Sequence, residues 1–488
     1  MKPALQRFSS AVVLAALTIV VCTATAQQPD KPVQDDLRPM TRAQALQMAA
    51  ERNYGVMVER LATKAADENT ALARLTYIPT LNINASYFDN AAQNARPAQS
   101  GADLTGLVNW NTPWGMALTA GLTSNGRFAG ALNPASTALF MAASQSLLRG
   151  GFEAGAFTPA LEADVQADVQ RQRLRQTLND LLVQVEAAYW ELAFAQTNVE
   201  GRLRSLERAR AQYEDTRENI DRGLLAEADI FIVEENVVLF EDQWVRAKES
   251  LKLARSRLAQ LLQLGPGVWP QATDSLEQAL ETPPSLMEAS RVALQNNPAV
   301  RVQHLLARLA NIRLSFNENQ ALPSLDLEAS LRLNGQGEGF GEAYGESFAA
   351  DQPDWRVGVV FEVPLWWSGN AARVARSELD VEQRLVDVKD IEQQVQFDIQ
   401  ERLINFDTLT RRLELAQKRL KLAQGKLDAQ MERYRNGIST LDEVVRFQRD
   451  LDSALIAEQR VRVELLRARS LLLQAQGTLH DVYGVGVE

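Results

Sequence analysis

The stretch NYGVMVERLATKAADENTALARLTYIPTLNINAS, from Asn53 to Ser86, is written a second time as NPAVRVQHLLARLANIRLSFNENQALPSLDLEAS, from Asn297 to Ser330. The spacing from Asn53 to Asn297 is 244 residues, and it holds without a gap. Val56 falls on Val300, Leu61 on Leu305, Ala66 on Ala310, Pro79 on Pro323, Leu81 on Leu325 and Ser86 on Ser330. A unit repeated at fixed spacing reads as one structural module used twice. Within each copy the apolar period changes. A helical pattern runs to about Thr76 in the first copy, Pro79 ends it, and alternation with period two begins. Leu81, Ile83, Ala85 and Tyr87 then alternate with Asn82, Asn84 and Ser86. In the second copy Leu325, Leu327, Ala329, Leu331 and Leu333 alternate with Asp326, Glu328, Ser330, Arg332 and Asn334. Each module therefore joins a helix to a strand with one apolar and one polar face.

Reading outward, each copy continues through return strands into long helices. Val357, Val359, Phe361, Val363 and Leu365 share a face in the second copy. The first copy offers two return candidates, Met116 to Leu122 and Thr137 to Leu147. The segments 89–113 and 335–354 read as Gly-rich, polar loops between strands. Trp110, Trp114, Trp355, Trp366 and Trp367 cluster near strand ends, where interfacial aromatic girdles sit. From Leu161 to Asn219, and again from Asn370 to Arg435, no proline interrupts a helical pattern. At the α-helical rise these spans reach ~88 and ~99 Å. Each turns at a glycine, Arg222-Gly223-Leu224 and Asn436-Gly437-Ile438, and returns through a helix about half as long, 227–264 and 441–476. The helices starting at Thr41 and Ser285 supply the other half of each return path, which gives an antiparallel coiled-coil rod.

The ends and the bulk properties limit what such a chain can be. Lys2 and Arg7 precede an apolar run from Ala11 to Val21, and Ala24-Thr25-Ala26 is a small-x-small cleavage site, so residues 1–26 read as a secretory signal. Cys22, the single cysteine, lies inside that segment and follows Val21, which argues against a lipid anchor and leaves no thiol chemistry in the mature chain. Loss of Lys2 and Arg7 takes two of 51 basic residues and none of 62 acidic ones, moving the net charge from −11 to −13. That balance excludes nucleic acid as the expected partner. No later run of 18 apolar residues exists, so entry into a membrane would require a β-barrel. Residues 27–40 read as a flexible lead-in, 41–264 as repeat one with strands over 80–147, 265–284 as a linker, and 285–488 as repeat two with strands over 324–366. Four strands cannot close a barrel, whereas three copies would supply twelve.

Several motifs resemble the TolC family of bacterial outer-membrane efflux channels. Val185 to Leu192 (VEAAYWEL) is similar to that family's early long-helix segment, and Ser146 to Gly151 and Val363 to Trp366 resemble its strand exits. Most specific is Arg433 to Val444, RYRNGISTLDEV, which resembles the family's tip motif; Gly223 to Ile230 is a weaker version. The resemblance covers nearly the whole mature chain. It implies a mixed α/β membrane protein: a homotrimer with a 12-stranded outer-membrane β-barrel, four strands per chain, continued by a long α-helical periplasmic tunnel. It implies an exit channel of a tripartite efflux or type I secretion system, with a periplasmic adaptor protein and an inner-membrane pump as partners and outer-membrane lipid around the barrel. The glycine turns would be the periplasmic tips, with Gly223, Leu224, Leu225, Gly437, Ile438 and Ser439 as the adaptor-docking surface. Asp229, Tyr434 and Glu443 would form the periplasmic gate, Glu443 becoming a ring of three carboxylates under three-fold symmetry. This chain departs from the family pattern in placing Arg446 where some members carry a second acidic ring and Ser439 where they carry a tip arginine.

The competing reading of Glu443 is a solvated helix face, and of the apolar stripes a coiled-coil core. His304 and His480 lack metal-ligand spacing, and no phosphate loop, serine elbow or convergent carboxylate pair stands out, so neither enzyme nor cofactor is expected. A periplasmic coiled-coil adaptor or scaffold without a barrel is the alternative, weakened by the presence of two helix–strand–strand–helix units.

Overall fold

The structure is a computed structural model that describes residues 36–90, 99–128, 135–277, 282–350, 353–363, 365, 368–484 and 486. The secretory segment 1–26, most of the 27–40 lead-in, and Trp366 and Trp367 lie outside the described residues.

Two helix pairs open the two halves of the chain, and both break at the asparagine that begins the repeated stretch. Helices α1 (Arg42–Arg52) and α2 (Tyr54–Leu75) meet at Asn53. Downstream, α5 (Leu286–Asn296) and α6 (Pro298–Ala321) meet at Asn297. Both asparagines are extended, with φ near −66° and −61°, so each ends one helix and caps the next. The Asn53 side chain accepts from the Gly55 N–H and that of Asn297 from the Ala299 N–H, each at 2.9 Å. Thr41 closes the start of α1 with a full capping box to Gln44, and Ser285 caps α5.

The long helices are α3 (Thr158–Asp221, 64 residues) and α8 (Ser368–Arg435, 68 residues), roughly 96 and 102 Å at the helical rise. Their returns are α4 (Asp229–Leu261) and α9 (Leu441–Gln476). Side-chain pairs show how two short helices share one long one. Arg74–Asp164 and Arg171–Asp67 seat α2 along the first half of α3, while Arg210–Glu241 seats α4 along the second. The largest core lies at the midpoint, where Leu46, Leu178, Leu182, Val185, Tyr189, Trp190, Leu258, Leu262, Leu466 and Leu479 are buried together.

That belt is further tied by β1 (Asp36–Met40) pairing in parallel with β6 (Val268–Ala272). The end of the expected flexible lead-in and part of the expected linker therefore form a two-stranded sheet. The Tyr189 hydroxyl donates to Asp274 at 2.9 Å and receives the N–H groups of Thr273 and Asp274, and burial pushes its pKa up to about 12. Glu186, only 2% exposed, accepts from Arg42, the Trp190 indole and the Tyr483 hydroxyl, so the start, middle and end of the chain meet on one carboxylate.

The main sheet corrects the four-strand expectation. Among the described residues it has six antiparallel strands in the order β2 (Thr80–Asn90), β3 (Gln99–Asn111), β4 (Met116–Phe128), β5 (Ala135–Ser146), β7 (Ser324–Gly337), β8 (Pro353–Glu362). Residues 99–111, read as loop, are a strand, and both return candidates are strands. Their mixture of Gly, Thr and Asn blurs the alternation that would reveal them, but the backbone ladder does not depend on side-chain polarity. The register puts Leu81, Ile83 and Tyr87 on the same face as Leu104, Val108, Leu118, Leu122, Leu139, Met141, Leu327, Leu331, Val357 and Val359. The opposite face carries Asn82, Asn84, Asp103, Thr105, Thr119, Thr123, Ser144, Glu328, Arg332, Asn334 and Arg356.

The 335–354 loop also contains structure. Helix α7 (Phe340–Ala349) lies on the apolar face at the end of the sheet far from the long helices. It rests on small residues: Thr137 donates to the Ala343 carbonyl at 2.7 Å, and the Phe340 ring fills the space over Gly126. A Cβ added at Gly335 would lie 2.1 Å from the Ala343 oxygen, so that strand must carry glycine there.

Candidate functional site

The two hairpin tips are built from the same local rule. At the end of α3 the Gly223 N–H donates to the Ile220 carbonyl and the Leu224 N–H to that of Asn219, both at 2.8 Å. At the end of α8 Gly437 donates to Tyr434 and Ile438 to Arg433, both at 2.9 Å. This is the Schellman pattern, and it needs a left-handed residue at the turn. Gly223 has φ +72° and Gly437 φ +73°, and nothing lies within 4 Å of a Cβ added to either. The glycines are required by backbone conformation and not by space. In such a turn the residue after the glycine usually packs back on its own helix. Here Leu224 and Ile438 are instead 68% exposed, each an unpartnered apolar side chain at the extreme end of the molecule. Leu225 and Ser439, expected to be exposed beside them, are half-buried.

The hairpins differ beyond the glycine. Thr440 is extended and its hydroxyl accepts from the Glu443 N–H, so α9 starts with a side-chain cap. The sequence Thr440-Leu-Asp-Glu443 has capping-box spacing. Only half the box forms, because the Glu443 carboxylate turns to the glycine turn. It accepts from the Ser439 hydroxyl at 2.8 Å and from Gln430 of α8 at 2.7 Å, and Gln430 also donates to Ser439. The Ser439 hydrogen bond, the Thr440 contact and the nearby Arg446 charge hold the Glu443 carboxyl below its ordinary value. At the first tip, Ala228 precedes α4 in helical conformation with no side-chain cap, and Asp229 stands in the first turn, where an acid complements the helix dipole.

Of the three expected gate residues, the structure brings two into one electrostatic neighbourhood. Tyr434 is half-buried against Leu427, Val444, Leu451 and Phe447. Burial, then the carboxylates of Asp229 and Asp215 on the other hairpin, raise its pKa. Glu443 is bound inside its own hairpin. Gln430 and Asp215 were not singled out from sequence. Gln430 precedes the turn on a face that looks like any solvated helix surface, and no local signal marks it. Among the described residues no group of three His, Cys, Asp or Glu could hold a metal ion. His480 contacts Asn179 and is held below its ordinary value by burial, and His304 pairs with Glu392.

Residues 289–478 match the outer membrane efflux protein family. The second half of the chain thus resembles that family. The outer membrane efflux protein BepC of Brucella suis is 22% identical over 436 residues, covering 89% of this chain and 85% of the relative. The fold agrees with solved outer-membrane channels. The open-state MtrE channel of Neisseria gonorrhoeae superposes with a TM-score of 0.66 at 17% identity, over 89% of this chain and 88% of MtrE. The outer membrane protein VceC of Vibrio cholerae gives 0.62 at 15% identity, over 89% and 96%. These matches support a place in the outer membrane, with the helices extending into the periplasm. Among the described residues no helix is long and apolar enough to cross a membrane.

Proposed function

We propose that three copies of this chain form the outer-membrane exit duct of a tripartite efflux system, serving an inner-membrane pump through a periplasmic adaptor. One observation carries the reading. The sheet exposes a continuous apolar face and turns a polar face the other way, as a lipid-facing wall around an aqueous lumen requires. Its strands are 10 to 14 residues long, against the ~9–11 needed to span a bilayer at a tilt.

The helices support the oligomer. On α8 the exposed apolar residues Leu379, Val386, Phe397, Ile404, Leu415 and Leu422 recur at steps of seven and eleven. A combined step of eighteen is five turns of a straight helix, so all six share one stripe. On α4, Phe231, Val238, Val245 and Leu253 form a second exposed stripe that no element among the described residues covers. An exposed apolar seam of this length is matched by neighbouring copies, α8 of one against α2 and α4 of the next.

The tips then face the periplasm. Leu224 and Ile438, with Gly223, Leu225, Gly437 and Ser439 shaping the turns, form the adaptor-docking surface. Asp229, Tyr434 and Glu443 lie at the closing end of the duct, where three-fold symmetry makes each a ring. Arg446 adds a positive charge beside the Glu443 ring. The protein supplies a gated path, and the energy for transport comes from the pump.

Single-channel conductance in a planar bilayer tests the duct, with wild type beside Glu443→Ala and Asp229→Ala. Small discrete openings that enlarge in either variant support a gate at the tips. Conductance unchanged in both would remove these residues from the gate, and a purified protein that never inserts would sink the channel reading. Gly437→Asp, strained at its positive φ and charged at the docking surface, is expected to abolish export while a folded oligomer persists. Normal export by that variant would dismiss the docking role.

A further inference from the structure

The extra hairpin changes the arithmetic of the membrane section. β3 and β4 join through a tight turn in which the Met116 carbonyl accepts from the Thr112 N–H at 2.8 Å and Gly115 has φ +87°. They enter the sheet between β2 and β5 with unbroken ladders on both sides. Both faces of the hairpin obey the pattern of the sheet. Leu104, Val108, Leu118 and Leu122 join the apolar face, and Asp103, Thr105, Thr119 and Thr123 join the polar one. A hairpin destined to project from the sheet would not carry both patterns in register.

The two edges of the six-stranded sheet fit one another. β2 has 11 residues and β8 has 10, and they run in opposite directions. Leu81, Ile83 and Tyr87 on one edge and Trp355, Val357, Val359 and Phe361 on the other lie on the apolar face, so an antiparallel seam between copies keeps lipid and lumen sides continuous. Stagger across the sheet also suits closure. A row of paired residues starting at Thr80 passes through Asn109, Thr119, Ala142 and Ser330 to Arg356. It stops six residues short of Glu362, where β8 ends at the same helical rim from which Thr80 starts. Six residues over five strand-to-strand steps is a tilt of about 40°, within the range of closed barrels. Six strands are too few to close, and two unpaired edges would remain.

We infer that the membrane section is an 18-stranded barrel, β2 of each copy pairing with β8 of the next. The inference rests on the three-copy duct proposed above. Diameter grows nearly in proportion to strand number, so this barrel is about one and a half times as wide as one built from four strands per copy. At that gauge the lumen is a porin-class aqueous channel. The narrow point of the duct lies at the periplasmic tips, and the wall of the barrel does not select cargo by size.

Electron microscopy of the detergent-purified protein counts the strands. Eighteen around a three-fold axis is the expected result. Twelve strands would overturn it, whether two copies supply six each or three copies supply four with the hairpin outside. Removal of Gln99–Phe128 is expected to leave a three-fold barrel about two-thirds as wide, and an unchanged width would refute the insertion. Should that variant fail to fold, cysteine pairs in the full chain decide the same point. Asn84→Cys with Thr105→Cys, and Thr119→Cys with Ala142→Cys, face each other across adjacent strands and should oxidise in intact outer membranes. Failure of both would place the hairpin outside the sheet. A conducting protein with twelve strands would refute the wide barrel alone, and a non-conducting one with eighteen would refute the duct alone.

Discussion

The first half of the chain and the second fold alike as helices and differ as sheet. Each opens with two helices broken at an asparagine, sends out one helix of about 100 Å, turns at a left-handed glycine and comes back. Yet the first half contributes four strands to the main sheet and the second contributes two. The difference teaches where such a module tolerates growth. A helical rod is bounded by the partners along its length, so an insertion shifts every later contact. A sheet can accept a hairpin between two strands whenever both new faces continue the apolar and polar sides.

The two halves also differ in how tightly they are tied down, and the sharpest break in the comparison is Glu186. At the matching distance before its own glycine the second half carries Gln400, which is exposed. Glu186→Ala strips Arg42, Trp190 and Tyr483 of a shared acceptor and should lower stability by roughly 3 kcal/mol, as for a broken buried pair. Gln400→Ala should move it by less than about 0.5 kcal/mol. Thermal unfolding of the detergent-solubilised protein compares them, and equal shifts would show the carboxylate to be incidental.

The asparagine pair gives a finer contrast. Beyond capping, the Asn297 amide donates to the Ala475 carbonyl at 2.9 Å, whereas that of Asn53 reaches Leu261 only at 3.4 Å. Asn297→Ala should therefore destabilise by about 2 kcal/mol and Asn53→Ala by about 1. The reverse order in denaturant unfolding would mean that the cap outweighs the cross-link. At the tips, Thr440→Ala should loosen the start of α9 by about 1 kcal/mol. Ala228→Thr should bring no matching gain at α4, because residue 228 is already helical. Hydrogen exchange of the first-turn amides reads both.

The smallest expected effect is the response of the second tip to acid. A carboxylate held below its ordinary value of 4.5 takes its proton later on acidification than it does in the unfolded chain. Its stabilising contribution is complete above that value and is lost as pH falls through the lowered folded one. Exchange at the Ser439 to Glu443 amides should therefore rise below about pH 4.5 beyond the general change, while the Leu224 to Asp229 amides stay with the general change. Glu443→Gln should remove the difference, and its persistence would locate the titration elsewhere.

Sequence alone determined the helical plan. Proline, the tip glycines and the helix starts at Thr41 and Ser285 act within a few residues of themselves, so their meaning is local and can be read along the chain. The same holds for the strongly alternating strands 81–87 and 325–333. The tip motif placed Tyr434 and Glu443 near the turn, but not the Gln430 and Ser439 bonds that orient the carboxylate, nor the approach of Tyr434 to the other hairpin. Only the tertiary structure decided those contacts, the β1–β6 pairing, the six-strand count and the seat of α7. Each depends on groups far apart in sequence, and on backbone hydrogen bonds that glycine and threonine make as readily as valine does. A ladder of that kind leaves little trace in side-chain periodicity and shows itself only when the strands lie side by side.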